Sequence, residues 1–362
     1  MFYTLLYPLR EFFAVFNIFK YITFRSAGAA VTAFLLALWL GPKMINWLKT
    51  LSLTACNKRD HAEQIHKYYE GKGSVPTMGG IILIACITIA MILWGNLTNK
   101  YVLLSLIVLL WFGGVGFIDD YLKIRSKSSK GLTSLTKLAG QLIIGTFLGV
   151  YLFFDPSFDH AIYVPFLKNV TIHLGIFLIP FVICVLVGTS NALNLTDGLD
   201  GLAIGCLLFA AGTFAIISYI AGHASFAKYL AIPFVPNSGE LAVFCSALMG
   251  ASVGFLWFNS YPASVFMGDT GSLSLGGVLG AIAIFIKKEL LLVIVGGVFV
   301  WEALSVILQV ASFKLFKKRI FKMSPFHHHM QLMGLPESKV TIRLWIVAFI
   351  LSIVGLSTLK IQ

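Results

Sequence analysis

Charge is what this sequence has least of. Of its 362 residues only 12% are charged and 15 are acidic, while 58% are hydrophobic. A water-soluble domain carries about 25% charged and about 45–50% apolar residues. The imbalance, with a mean hydropathy of +0.89, excludes a soluble enzyme on one membrane anchor, a disordered scaffold and an ordinary nucleic-acid binder. Cysteine is also sparse. Cys56, Cys86, Cys184, Cys206 and Cys245 lie far apart, four of them in apolar stretches, so there is no disulfide framework and no zinc spacing to read. No repeat, no inverted symmetry of the transporter kind and no small-residue cleavage site is visible. The first 20 residues, rich in aromatics and carrying Arg10 and Lys20, read as an interfacial helix rather than a signal peptide.

Long apolar runs are what the chain has in abundance. A spanning helix needs about 20 mostly apolar residues. Ten such segments centre on 24–41, 77–95, 101–118, 138–154, 175–192, 200–221, 241–258, 272–286, 290–313 and 344–360. The expectation is an all-α integral membrane protein of ten transmembrane helices, one polytopic domain over residues 1–362. Connections after odd-numbered spans hold 18 of the 27 basic residues, whereas those after even spans hold only Lys100, Lys168, Lys228, Lys287 and Lys288. By the positive-inside rule the odd connections face the cytoplasm and both termini face outward. The net charge of +12 then reports topology and anionic lipid rather than nucleic acid. Gly250/Gly254 and Gly276/Gly280 are small-residue pairs suited to close helix packing. Gly113-Gly114-Val115-Gly116 brushes a dinucleotide fingerprint, but no strand precedes it, so it is set aside.

The polar residues that hydropathy does not explain all follow odd spans. Asp119-Asp120 ends the third. Asn191, Asn194, Asp197 and Asp200 fill the turn after the fifth, Asn259 and Asp269 follow the seventh, and His327-His328-His329 follows the ninth. Topology alone therefore gathers them on the cytoplasmic face. Each has a plainer reading beside the functional one. A carboxylate pair at a helix C-terminus opposes the dipole by a few tenths to about 1 kcal/mol, so a cation, either Lys123 or a metal ion, should compensate. Gly268 and Gly271 flank Asp269 and would let backbone N–H groups approach an anion, or simply make a turn. The histidines read as a solvated loop, a metal site or phosphate donors. Carboxylates and amides without clustered cysteines favour Mg²⁺ or Mn²⁺ over zinc. Lys72, Lys123 and Lys127 would hold a polyanion, which points to phosphoryl chemistry between a soluble nucleotide and a lipid phosphate.

Five strings carry a resemblance: Pro76-Thr-Met-Gly-Gly80, Gly116-Phe-Ile-Asp-Asp120, Asn191-Ala-Leu-Asn-Leu-Thr-Asp-Gly-Leu-Asp-Gly201, Phe266-Met-Gly-Asp-Thr-Gly-Ser272 and Pro325-Phe-His-His-His-Met330. In this order they resemble the bacterial phospho-N-acetylmuramoyl-pentapeptide transferases, a branch of the polyprenyl-phosphate N-acetylhexosamine-1-phosphate transferases. The resemblance implies transfer of phospho-MurNAc-pentapeptide from its UDP carrier to undecaprenyl phosphate, with lipid I and UMP as products. It implies ten spans in the bacterial cytoplasmic membrane, a cytoplasmic active-site cleft, a Mg²⁺ requirement and a homodimer. By motif position it makes Asp119, Asp120 and Asp269 the essential aspartates, with Asp269 nearest the metal. It places Lys72, Thr77, Asn194, Asp197, Asp200, Asn259, Phe266, Gln309 and His327, His328 and His329 along the nucleoside and phosphate cleft. Gly268 and Ser272 of the Gly-Asp-Thr-Gly-Ser turn are counted with the substrate residues, as are Lys123 and Lys127.

Two other readings compete. One is a related transferase using UDP-N-acetylglucosamine. The other is a transporter for an anionic substrate, in which Glu302, the one acid deep in a span, would be a functional candidate. A transporter should place its polar residues near the midplane, whereas here they crowd one face.

Overall fold

The computed structural model describes residues 1–50, 75–126, 131–167 and 170–360. Lys72 and Lys127 lie outside the described residues. Helices dominate: α1 Phe2–Leu6, α2 Ile22–Thr50, α3 Gly80–Trp94, α4 Lys100–Arg125, α5 Ser134–Phe154, α6 Leu178–Thr196, α7 Leu202–Ala221 and α8 Ala224–Leu230. They continue as α9 Glu240–Asn259, α10 Gly268–Phe285, α11 Glu289–Val295, α12 Gly297–Phe316, α13 Phe326–Leu332 and α14 Glu337–Ser357. A short antiparallel hairpin, β1 Ala161–Tyr163 with β2 Thr171–His173, pairs Ile162 with Ile172.

Among the described residues nine helices are long and apolar enough to cross a membrane, and α3 is a shorter apolar helix. The chain is a multi-span membrane protein. Helix α3 starts at Gly80 rather than at residue 77 because Pro76–Gly79 is committed elsewhere, to backbone bonds with Phe266. The expected single span over 290–313 is instead two helices, α11 and α12, broken at Gly296, where adjacent glycines give the weakest helix propensity short of proline. The N-terminal segment is also not one helix. It is α1 followed by two 3₁₀ turns, Tyr7–Glu11 and Ala14–Lys20, with Pro8 entering the first of them. Phe2 and Phe19 pack on Trp94, while Phe12, Phe13 and Val15 stay exposed.

Helix α10 is the axis of the bundle. Every residue from Thr270 to Phe285 is buried, packed chiefly against α4 and α6, with α3 and α11 closing further sides. Its apolar residues have no lipid-facing stripe because all faces meet protein, the pattern of a fully buried helix. Helix α2 packs along α9, where a Cβ on Gly250 would fall 2.0 Å from the Ala30 carbonyl. The small-residue pair is thus a contact between backbones.

The two ends of α4 set the scale. At its start Lys100 pairs with Asp155; at a rise of 1.5 Å per residue, Asp119 lies about 28 Å further along the axis. That is close to the hydrocarbon thickness of a bilayer, about 30 Å. The polar motifs collect at the Asp119 end.

Candidate active site

The site begins with three carboxylates on two adjacent helices. Asp119 and Asp120 lie on α4 and Asp269 is in the first turn of α10. One ligand atom from each lies within 4.8 Å of the others. The α4 pair does not end its helix, as the sequence reading has it. The helix runs on to Arg125, and both residues are only 3% exposed.

The two neighbours do different jobs because successive helical residues point about 100° apart. Asp120 turns to the start of α10. Its Oδ1 accepts from the Asp269 N–H at 3.2 Å, and its Oδ2 accepts from the Thr270 N–H at 2.9 Å and the Thr270 hydroxyl at 2.8 Å. The anion received by the Gly268-Asp269-Thr270 turn is therefore Asp120 itself, satisfying donors that a helix start leaves unpaired. Asp119 turns to solvent-side cations: Lys123 Nζ lies 2.6 Å away, and the Leu132 N–H donates to Oδ1 at 2.7 Å.

Two lysines bridge the cluster. Lys123 Nζ also donates to Asp269 Oδ2 at 2.9 Å, and Lys137 Nζ, one turn into α5, reaches the same oxygen at 2.6 Å. Lys123 is the compensating cation the sequence anticipates. Lys137 is a site residue that sequence reasoning missed, being counted only among the basic residues of its connection. The one available signal was its place four residues before Gln141, on the face of α5 that meets α6.

Asn194 completes the second side. It lies in α6 rather than in a turn, as does Asn191. With its amide turned so that oxygen and nitrogen each meet a complementary group, Asn194 donates to Asp269 Oδ1 at 3.0 Å and to Ser272 Oγ at 3.0 Å, and its oxygen accepts from Lys137 at 3.1 Å. Asn191 instead donates to Gln141 within the bundle, at 3.0 Å. Asp197 follows α6 in the turn proper and is half-buried. Loss of water and then the negative charges of Asp269 and Asp120 push its carboxyl up to about 8, against the Gly268 N–H, which favours its charged form.

The Pro76–Gly80 and Phe266–Asp269 strings are one structure. The Phe266 N–H donates to the Pro76 carbonyl, and Gly79 and Gly80 donate to the Phe266 and Met267 carbonyls, each at 2.8 Å. Gly268 has φ +73°, and a Cβ there would meet Asp120 Oδ2 at 2.6 Å and Thr77 Oγ1 at 3.0 Å. Thr77, Phe266 and Gly268 are thereby assembled at the carboxylate centre.

Other expected residues are engaged in loop ties. Asp200 Oδ2 accepts from the Ala263 N–H at 3.0 Å. Asn259 accepts from the Gly201 N–H at 3.2 Å and donates to the Val265 carbonyl at 2.8 Å. Gln309 holds the backbone of Ile320 and Phe321. The histidines diverge: His327 meets Glu302, His328 meets Gln331, and His329 Nδ1 accepts from the Lys322 N–H. Among the described residues the three imidazoles share no ion site with one another; the one carboxylate-type cluster is the aspartate trio.

Hard oxygen donors and two ammonium groups, gathered at one end of a membrane bundle, are the set of groups that a membrane-embedded centre for handling phosphates needs. Comparison with known proteins agrees with that class. Residues 101–287 match the family described as glycosyl transferase family 4. The whole chain is 51% identical to the phospho-N-acetylmuramoyl-pentapeptide-transferase of Geobacter sp. (strain M21) over 362 residues, covering all of both. It is 50% identical over 363 residues to the protein of that name from Solidesulfovibrio magneticus, and 51% over 365 to that from Thermodesulfovibrio yellowstonii, again over all of each chain. The chain belongs to the phospho-N-acetylmuramoyl-pentapeptide-transferase family.

Proposed function

We propose that the chain transfers phospho-MurNAc-pentapeptide from UDP-MurNAc-pentapeptide to undecaprenyl phosphate, releasing UMP and forming lipid I for peptidoglycan. The observation that carries this is the meeting of Asp119 and Asp269 with Lys123 and Lys137 at one end of the bundle, in a chain whose full-length relatives bear the transferase's name.

The bundle is read as ten crossings, with α3 and the Pro76–Gly79 segment together making the short one. The carboxylate end faces the cytoplasm of a bacterial inner membrane, on the strength of the basic residues that follow odd spans, and both termini lie on the other side. The homodimer rests on the family resemblance.

The donor set fits Mg²⁺: carboxylate oxygens close together, with no thiolate beside them among the described residues. Asp269, with Asp119 beside it, would hold the ion, which when bound neutralises charge on the diphosphate. Lys123 and Lys137 then exchange carboxylate for phosphate oxygens, and Phe266 lies two residues before the Gly268 turn to stack on uracil. The acceptor is a phosphate monoester with a second pKa near about 6, so it is largely dianionic at neutral pH and needs little help from a base. Its oxygen attacks the β-phosphorus, forming one P–O bond while the bridging P–O bond breaks and the pair of electrons leaves on UMP. Positioning and charge neutralisation supply the acceleration. Asp120 is committed to the α10 backbone, which supports direct attack over a covalent aspartyl intermediate there. Asp119 orients Lys123 toward the incoming phosphate.

The test is Mg²⁺-dependent UMP release, with undecaprenyl phosphate present and absent, from UDP-MurNAc-pentapeptide and separately from UDP-N-acetylglucosamine. Lipid-dependent release from the muramoyl substrate alone is expected. Release from the glucosamine substrate alone would move the chain to the neighbouring branch.

A further inference from the structure

Glu302 is an acid inside a membrane-spanning helix and plays no part in the chemistry above. Its side chain is 0% exposed. A carboxylate stripped of water costs several kcal/mol even after relaxation unless it is paired and hydrogen-bonded, so its partners reveal its use. Among the described residues its carboxylate meets one residue only. The His327 backbone N–H donates to Oε1 at 3.2 Å and Oε2 at 3.3 Å, and His327 Nδ1 lies 3.1 Å from Oε2.

His327 is itself 0% exposed, and its Nε2 has no hydrogen-bond partner among the described residues. Because a carboxylate only accepts, the Nδ1 facing Glu302 carries a proton, and in the neutral ring Nε2 keeps the lone pair. That lone pair points at the turn after α6. A Cβ on Gly198 would fall 2.2 Å from Nε2, so the ring is wedged against the Gly198 backbone and no larger residue fits. Gly198 follows Asp197, whose N–H donates to the Asn194 carbonyl at 3.3 Å, and the Asn194 side chain lies 3.0 Å from Ser272 Oγ in the first turns of α10. Contact therefore runs from Glu302 through His327 and the Asp197 turn to Asn194 and the first turns of α10.

We infer that Glu302 is a positioning residue: it fixes His327 as the Nδ1–H tautomer, with the bare Nε2 against Gly198, and so fixes the turn that sets Asp197 beside Asp269. Its catalytic consequence rests on the transferase reading; its effect on the ring does not. A simple structural staple would hold α13 to α12 with either tautomer. Positioning requires this one, because the other would aim an N–H at the Gly198 backbone and a lone pair at the carboxylate.

The test uses the full chain in nanodiscs with ¹⁵N-labelled histidine rings, the His327 signals being those lost in His327→Asn. The parent should show a protonated Nδ1 and a bare Nε2, and Glu302→Gln should mix the tautomers. Glu302→Gln should also lower kcat for UMP release about 10- to 100-fold, the usual cost of losing a partner one step behind a site, with KM for the nucleotide sugar held. In a His327→Asn background the same change should add no further loss. A protonated Nε2 in the parent, parental kcat in Glu302→Gln, or losses that multiply fully would overturn the assignment. If Glu302→Gln does not fold, the parent spectrum alone decides. The spectrum needs no substrate. The expected tautomer in a chain without transferase activity would therefore retire the proposed function and leave the Glu302–His327 relation standing.

Discussion

Gly116 lies directly against Asp269: a Cβ built on Gly116 would sit 2.2 Å from the Asp269 carbonyl oxygen. Helices α4 and α10 touch backbone to backbone at the level where their carboxylates meet. The glycine is what lets Asp119 and Asp120, one turn on, share a site with Asp269.

Gly116→Ala should therefore push the two helices apart at the site. Overpacking of this kind costs about 1–3 kcal/mol, which a lowered unfolding midpoint in detergent would register. Turnover should fall far more than stability, because the three carboxylates separate. Parental turnover in a folded Gly116→Ala protein would show that the spacing is not critical.

Lys137 is the second cation on Asp269, at 2.6 Å. Lys137→Met keeps the apolar stem and removes the charge. Loss of one preorganised charge-stabilising group typically costs about 10²–10³ in rate, and a fall in kcat of that order is expected, with Lys137→Arg recovering part of it. Steady-state kinetics on the three proteins checks this, and equal rates would assign Lys137 to structure alone.

Phe266→Ala should weaken nucleotide-substrate binding by about 10- to 100-fold, since stacking on a base contributes about 1–3 kcal/mol. The Phe266 backbone bonds to Pro76 and Gly79 do not involve the ring, so the loop should keep its place and the protein its stability. Titration with UMP measures the affinity directly; an unchanged value retires the stacking role.

On the opposite face, Lys288 is 2% exposed. Burial lowers its ammonium to about 8, partly opposed by Glu289. The folded value thus lies below the unfolded one, and the cost of burying the charge is fully present below pH 8. As pH rises from 8 toward the ordinary lysine range the folded protein gives up its proton first. The unfolded chain then binds more protons, and stability rises with pH. Unfolding midpoints between pH 7 and 10 should climb more steeply in the parent than in Lys288→Met. Parallel curves would show that this lysine makes no contribution.

The spans were legible because each crossing leaves about 20 apolar residues in a row, and the motifs because polar residues in such a chain are costly unless used. Charge segregation alone brought the aspartate and histidine strings to one end. What the sequence did not disclose depends on facing between helices. The only local mark on Lys137 is its spacing from Gln141, which does not show that the side chain reaches Asp269 across the helices. Adjacent aspartates look equivalent in a string, yet a 100° step sends Asp120 to the α10 backbone and Asp119 to Lys123. The break at Gly296 hid inside an apolar run because hydropathy is blind to helix propensity. Gly116 heads one of the five motif strings, but its value lies in the atoms across from it, which a string does not show.

The most direct measurement is UMP release from UDP-MurNAc-pentapeptide by the purified chain and by Asp269→Asn, each with and without undecaprenyl phosphate and Mg²⁺. The parent should release UMP only when lipid and Mg²⁺ are both present. Asp269→Asn should be folded but almost inactive, and extra Mg²⁺ should restore it only weakly. UMP release that proceeds without the lipid, or near-normal turnover and Mg²⁺ binding in Asp269→Asn, would contradict a transfer centred on Asp269.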